Sequence, residues 1–161
     1  MIRLQSKSST DMAVWLETMW SHYYDELLGA GFTAEEATQN VEHNKKNLFD
    51  DGAPNDAQRI FDVIDDDVAV GSLWLARRGE GNAGEWFIYD IVIDENYRGR
   101  GLGRSTMLAA EEYVRGEGGS RLALNVFGPN TVARRLYESL GYSTLAIGMR
   151  KDLDSSSVAG A

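Results

Sequence analysis

The sequence contains no cysteine, which excludes disulfides, thiolate metal sites and a cysteine nucleophile. Its two histidines, His22 and His43, stand apart from each other and from any ligating cluster, so both are expected at the surface and no metal is expected. No apolar run approaches the ~18 residues of a membrane span. The first residues, MIRLQSKSSTD, lack the apolar core of a signal peptide. A cytoplasmic protein without membrane contact is therefore expected. Basic residues are also scarce: 16 Lys and Arg against 25 Asp and Glu give a formal net charge of −9. That balance argues against nucleic-acid binding and mildly favours a cationic partner.

What is present suffices for a real core. The chain has 161 residues, 43% of them apolar, which suits one globular domain, here residues 1–153, with a frayed tail at 154–161. Ile2 to Leu4 reads as a strand. Ser9, Thr10 or Asp11 can cap a helix from Met12 to Leu28, with Met12, Leu16, Met19, Tyr23 and Leu27 as its apolar stripe. Thr33 and Glu36 form a capping-box pattern opening a second helix to about Phe49. A loop is expected over Asp50–Asp56. Strands are expected at Arg59–Ile64, Val68–Arg77 and Glu85–Ile93, the first two joined by a turn at Asp65–Asp67. After them come a helix (Ser105–Val114), a strand (Arg121–Phe127), a helix (Asn130–Leu140) and a last strand (Ser143–Lys151). The expected fold is α/β (α+β) in the order β-α-α-β-β-β-α-β-α-β. It is a mixed, mostly antiparallel central sheet with helices on both faces.

The stretch Tyr97–Arg104, YRGRGLGR, sits where a strand passes into a helix. Unpaired N–H groups and the dipole of a helix start favour an anion, glycine permits close backbone approach, and arginine adds charge. A phosphate cradle is the functional reading; a tight turn is the structural one. The run lacks the Gly-Lys-Ser/Thr of a nucleoside-triphosphate loop. It also misses the dinucleotide fingerprint, since Arg104 or Thr106 stands where the last glycine is needed. An enzyme using a nucleotide through some other phosphate loop stays open at this point.

With these residues in hand, the chain resembles the GNAT superfamily of acyl-CoA-dependent N-acetyltransferases. The family's Arg/Gln-x-x-Gly-x-Gly/Ala motif is met by Arg98, Gly101 and Gly103. Its second signature, an Asn seven residues before the Tyr of a Leu-Tyr-Glu-x-x-Gly-Phe/Tyr run, is met by Asn130 and Leu136–Tyr142. The likeness covers Ile60 to Lys151. It implies acetyl-CoA as cosubstrate, its pyrophosphate held by Arg98, Gly99, Arg100, Gly101, Leu102, Gly103 and Arg104. It further implies that Ile91, Val92 and Ile93 splay from the neighbouring strand to hydrogen-bond pantetheine. Asn125 and Asn130 would face the coenzyme arm. The implied activity is direct acetyl transfer to a primary amine on a small molecule, a polyamine-like compound or a peptide. A non-catalytic acyl-CoA-binding module is the alternative on the same fold. Homodimers are common among similar proteins.

Acetyl transfer from a thioester to an amine needs three things. The ammonium, with a pKa of ~10.4, must lose a proton; the oxyanion needs a donor; and the leaving thiolate gains from an acid. The resemblance puts Tyr137 near the coenzyme sulfur as that acid, and a main-chain N–H of Ile91–Ile93 as the oxyanion donor. Glu85, opening the central strand near the position of a catalytic glutamate in some family members, is the candidate base, acting through water. Tyr89 or Asp90 would shape the acceptor pocket. Strict alternation puts Glu85, Phe87, Tyr89 and Ile91 on one face, with Trp86, Ile88, Asp90 and Val92 on the other, unless a bulge intervenes. Trp20, Tyr23, Tyr24 and Glu26 are available for the acceptor wall, although core packing is the default for Trp20 and Tyr23.

Overall fold

Ser8 starts the first helix: its hydroxyl accepts a hydrogen bond from the Asp11 amide at 3.2 Å, so α1 spans Ser9–Gly29, and Ser9, Thr10 and Asp11, expected as caps, lie in its first turn. The computed structural model describes residues 1–50, 53–79 and 84–153. A short strand, β1 (Arg3–Ser6), precedes α1. The capping box forms as read, with Thr33 and Glu36 each accepting from the other's amide, and opens α2 (Ala34–Leu48). Where a loop was expected, Phe49–Asp50 (β2) pairs with Ala53–Pro54 (β3) as a small two-stranded sheet.

Three long strands follow: β4 (Gln58–Asp65), β5 (Val68–Arg77) and β6 (Glu85–Ile93). Asp66 and Asp67, both at positive φ, turn β4 into β5. Next come α3 (Leu102–Gly116), β7 (Arg121–Leu124) and α4 (Thr131–Ser139). The five-stranded sheet has the order β1-β4-β5-β6-β7, antiparallel except for the parallel β6–β7 pair at its end. That parallel pair follows from the α3 crossover between its two strands. Mixed sheet and helical layers are those expected.

Alternation along the strands separates two cores. Phe61, Val63, Leu73, Leu75, Trp86 and Ile88 pack with Met107, Ala110 and Val114 of α3. On the opposite face, Ile60 and Trp74 pack with Met19 of α1 and with Phe49. Full burial contributes about 1.5–3 kcal/mol for each large apolar side chain, so these two layers hold the sheet between its helices. Leu27, Ala37 and Val41 join α1 to α2, with Tyr23, Tyr24 and Phe127 packed against them.

Strict alternation fails twice: the β4–β5 register shifts between Val63 and Ile64, leaving Val70 as an extra residue, and a second bulge lies in β6. Leu75 pairs with Ile88 and Trp74 pairs with Asp90, leaving Tyr89 as an extra residue. Past this bulge the phase reverses. Ile91 lies opposite Leu73 and joins the α3-side core with Trp86 and Ile88, whereas alternation had separated it from them. Asp90, opposite Trp74, comes to the α1 side instead. Glu85 and Asp90 are thereby brought to the same face.

Two ends differ from expectation. β7 stops at Leu124 rather than Phe127, and residues 143–151 form no strand; 143–153 are exposed throughout. A strand needs a hydrogen-bonded neighbour, and among the described residues this segment makes no backbone–backbone hydrogen bond. The frayed tail expected at 154–161 lies outside the described residues.

Candidate active site

A single 3₁₀ turn, Glu95–Tyr97, leads from β6 into the glycine-arginine run. Gly99 and Gly101 adopt φ of +75° and +78°. Apart from each glycine's chain neighbours, no heavy atom of the described residues lies within 4 Å of where their Cβ atoms would stand, so glycine serves backbone conformation there, not packing. Gly101 is the N-cap of α3, which starts at Leu102, earlier than the expected Ser105. Gly103 has a different role. A Cβ there would meet Leu136 Cδ2 at 3.4 Å, so its small size lets α3 pack closely on α4.

This geometry leaves a row of donors. Among the described residues the amides of residues 99–104 have no backbone acceptor, the helical pattern beginning with Ser105 N–H to Gly101 O at 3.1 Å. Arg98 Nε donates to the Ile93 carbonyl at 2.9 Å, Arg100 to the Asn96 carbonyl at 3.0 Å, and Arg104 to Ser139 Oγ at 2.9 Å. Those bonds position the side chains without neutralising them. Among the described residues, none of the three forms an ion pair. A helix start with free amides and three uncompensated guanidinium groups suits a polyphosphate.

The edge of β6 opens beside this turn. Pairing with β7 covers only Glu85–Ile88 against Arg121–Leu124. β7 ends at Leu124, the partner of Ile88, so among the described residues Tyr89 to Ile93, including Ile91, Val92 and Ile93, have no strand partner on that side. Asn125 lies exposed immediately past the end of β7. Asn130 caps α4, its Oδ1 accepting from the Ala133 amide at 3.2 Å. Glu26, Gly29, Ala30, Phe127, Pro129 and Asn130 line an open cavity of about 250 Å³ between α1 and the start of α4.

Tyr137, on α4, is partly buried against the α3-side core, its ring 6.1 Å from that of Tyr142. Burial, then the carboxylates of Glu26 and Asp90, raise its pKa, so the phenol keeps its proton. Asp90 is partly buried, and burial followed by repulsion from Glu26 pushes its carboxyl up to about 7. Neither Glu26 nor Asp90 forms an ion pair among the described residues, and burial raises the Glu26 pKa although the nearby His22 lowers it. The structure thus brings α1, the β6 bulge and α4 together around one acidic group that titrates near neutrality. Glu85 is placed differently, at the start of β6, 3.5 Å from Arg78.

On the acceptor side, Tyr89 stacks on Trp74 with centroids 4.7 Å apart. Trp20 and Tyr23 belong to the packed layers, and the Tyr23 hydroxyl accepts from Asn44 at 3.0 Å. Alternation alone placed Asp90 on the other face of the sheet from Glu85. The available signal was a lone carboxylate in an otherwise apolar and aromatic strand, Trp86–Ile93.

Comparison with known proteins gives the family. Residues 16–142 match the model of the acetyltransferase (GNAT) family. The chain belongs to that family. A Bacillus subtilis protein named as an uncharacterised N-acetyltransferase, YycN, is 29% identical over 94% of this chain and 99% of its own. The crystal structure of YycN superposes with a TM-score of 0.88, covering 96% of this chain and all of that one. A second Bacillus subtilis N-acetyltransferase, YdgE, also uncharacterised, is 32% identical over 76% of this chain and 78% of its own. This GNAT chain is therefore an acetyltransferase, a family that uses acetyl-CoA. Among the described residues no helix is long and apolar enough to cross a membrane.

Proposed function

We propose that this GNAT chain transfers the acetyl group of acetyl-CoA directly to a cationic primary amine within a ternary complex. The observation that carries this reading is continuity. The donor row at 99–104, the open β6 edge at Tyr89–Ile93 and the group formed by Asp90, Glu26 and Tyr137 follow one another along a single path.

The free amides, with Arg98, Arg100 and Arg104, hold the pyrophosphate. The backbone of Ile91, Val92 and Ile93 binds the pantetheine arm, and Asn125 and Asn130 flank it. The cavity beside Glu26 and the aromatic face of Tyr89 receive the amine, whose positive charge is attracted by the two carboxylates.

Asp90 takes the proton that makes the amine nucleophilic. The amine nitrogen attacks the thioester carbonyl, an N–H of the open β6 edge stabilises the oxyanion, the nitrogen releases its second proton to solvent, and the new C–N bond replaces the C–S bond. Tyr137 donates its proton to the departing thiolate and recovers one from solvent. Of the two carboxylates that the bulge brings to one face, we assign the base to Asp90. Glu85, beside Arg78, is the competing candidate and would act through water.

A panel of small amines and peptides scored by thiol release from acetyl-CoA tests this reading. Turnover with primary amines is expected. Acetyl-CoA binding without release of thiol for any amine would overturn it. Asp90→Asn should lower kcat by about 10²–10⁴, the usual weight of general acid–base catalysis, while Glu85→Gln should stay within a few-fold of wild type. The reverse ranking would move the base to Glu85.

A further inference from the structure

Glu26 is the acidic group that the transfer chemistry leaves without a proton to move. Asp90 serves as base and Tyr137 as acid, whereas Glu26 stands near the end of α1. It lines the open cavity with Gly29, Ala30, Phe127, Pro129 and Asn130, and among these residues it alone carries a charge. Asp90, at the β6 bulge, is not part of that lining.

The cavity is built for a cation. Glu26 is exposed along it, so a ligand can reach the carboxylate, yet the surrounding protein raises its pKa against the lowering influence of His22. It forms no ion pair among the described residues. Glu26, Gly29 and Ala30 also belong to the last turn of α1 and its cap, where the helix dipole is negative and no basic residue stands. Arg150, which reaches this corner, is engaged by the Gly31 carbonyl and Glu36.

The walls say which cation. A metal ion needs several ligating groups, and no acidic or histidine cluster of that kind occurs among the described residues. An ammonium needs one carboxylate, and Ala30, Phe127 and Pro129 supply apolar surface for a hydrocarbon chain. At about 250 Å³, the space is smaller than the ~300–1,000 Å³ of sites for drug-sized ligands. It suits a short chain ending in a charge.

We propose that Glu26, with the negative end of α1, binds a second ammonium of the acceptor, so that short aliphatic diamines are selected over monoamines. Resting on the acetyl transfer proposed above, this arrangement puts the reacting nitrogen at Asp90 and the other at Glu26. The methylenes between them lie on the apolar walls. Glu26 thus determines specificity and takes no proton from the reacting amine.

Thiol release from acetyl-CoA with diaminobutane, butylamine, aminobutanol and a lysine-containing peptide tests the proposal. The assay is run at about pH 8.5, where Asp90 has lost its proton and alkylammonium groups, with pKa ~10.4, keep theirs. The kcat/KM for diaminobutane should exceed that for butylamine and for aminobutanol by about tenfold or more. Glu26→Gln should bring this ratio close to one, while Glu26→Asp, which keeps the charge, should retain part of it. Glu26 also acts on Asp90, but a change in the base affects all acceptors alike and cancels in the ratio. Calorimetry on the unaltered chain saturated with coenzyme A needs neither turnover nor substitution. Diaminobutane should bind there about tenfold more tightly than butylamine. Equal kcat/KM for diamine and monoamine, a peptide favoured over the diamine, or a preference unchanged in Glu26→Gln would each overturn the subsite and leave acetyl transfer standing. If no acceptor releases thiol, the transfer reading falls and calorimetry alone decides the subsite, equal affinities overturning it.

Discussion

Asp90 carries an opposition between stability and chemistry. Its carboxyl has an ordinary pKa of 3.8, and the folded chain raises it to about 7. Between those values the native state holds a proton that the unfolded chain has released. Stability from this group is therefore present at low pH, declines as pH rises across that window and stays lost above about 7. Asp90→Asn removes the penalty. It should stabilise the fold above neutral pH by at most about 4 kcal/mol, with the gain vanishing near pH 4, as urea titrations at several pH values would show. The same substitution should impair turnover. Tyr137→Phe should behave differently, leaving acetyl-CoA affinity within a few-fold by calorimetry while thiol release falls by about 10² or more. Unchanged turnover in this variant would remove Tyr137 from the acid role.

At the scale of elements, the sheet depends on one close approach. A Cβ on Gly71 would lie 2.0 Å from the Val92 carbonyl oxygen, and backbone cannot yield as a flexible side chain can. Gly71→Ala should destabilise by about 3 kcal/mol or more, measured by chemical unfolding, and should disturb the β6 edge where pantetheine is proposed to bind. Local chemistry made several elements legible in the sequence. The Thr33–Glu36 capping box depends on residues three apart, and the three long strands are marked by apolar and β-branched runs. The bulge at Tyr89 was not legible, because it exists only in the register between β5 and β6. For the same reason the face of Asp90 could not be fixed from alternation. The start of α3 was missed because Gly101 at φ +78° closes the turn earlier than the apolar pattern indicates. In residues 143–151, the alternation of Leu145, Ile147 and Met149 announced a strand, but alternation does not specify which edge a strand will pair with.

On the scale of the whole molecule, charge is divided by function. The formal net charge is −9, yet Arg98, Arg100 and Arg104 concentrate positive charge at the start of α3, whereas Glu26 and Asp90 form no ion pair among the described residues. An anionic donor and a cationic acceptor would then be guided to different sides of the β6 edge. Raising the salt concentration from about 0.05 to 0.5 M shortens the screening length several-fold. It should lower kcat/KM for a cationic amine more than for a neutral acyl acceptor such as water. Equal losses would place the acceptor's charge outside the site. The glycine-arginine turn and the Asn130–Tyr137 spacing were readable from sequence because each lies within one short segment. The group of Asp90, Glu26 and Tyr137 was not, since it joins three elements distant in the chain.

The most direct test is the pH dependence of kcat/KM, followed by thiol release with one good amine, for the unaltered chain and for Asp90→Asn. The unaltered chain should show a limb rising with pH and bending near 7, where the Asp90 carboxyl loses its proton. In the variant that limb should vanish, leaving low activity that follows only the amine's own ionisation. A variant retaining both the limb and near-normal turnover would contradict the assignment of Asp90 as the base at the centre of this acetyl transfer.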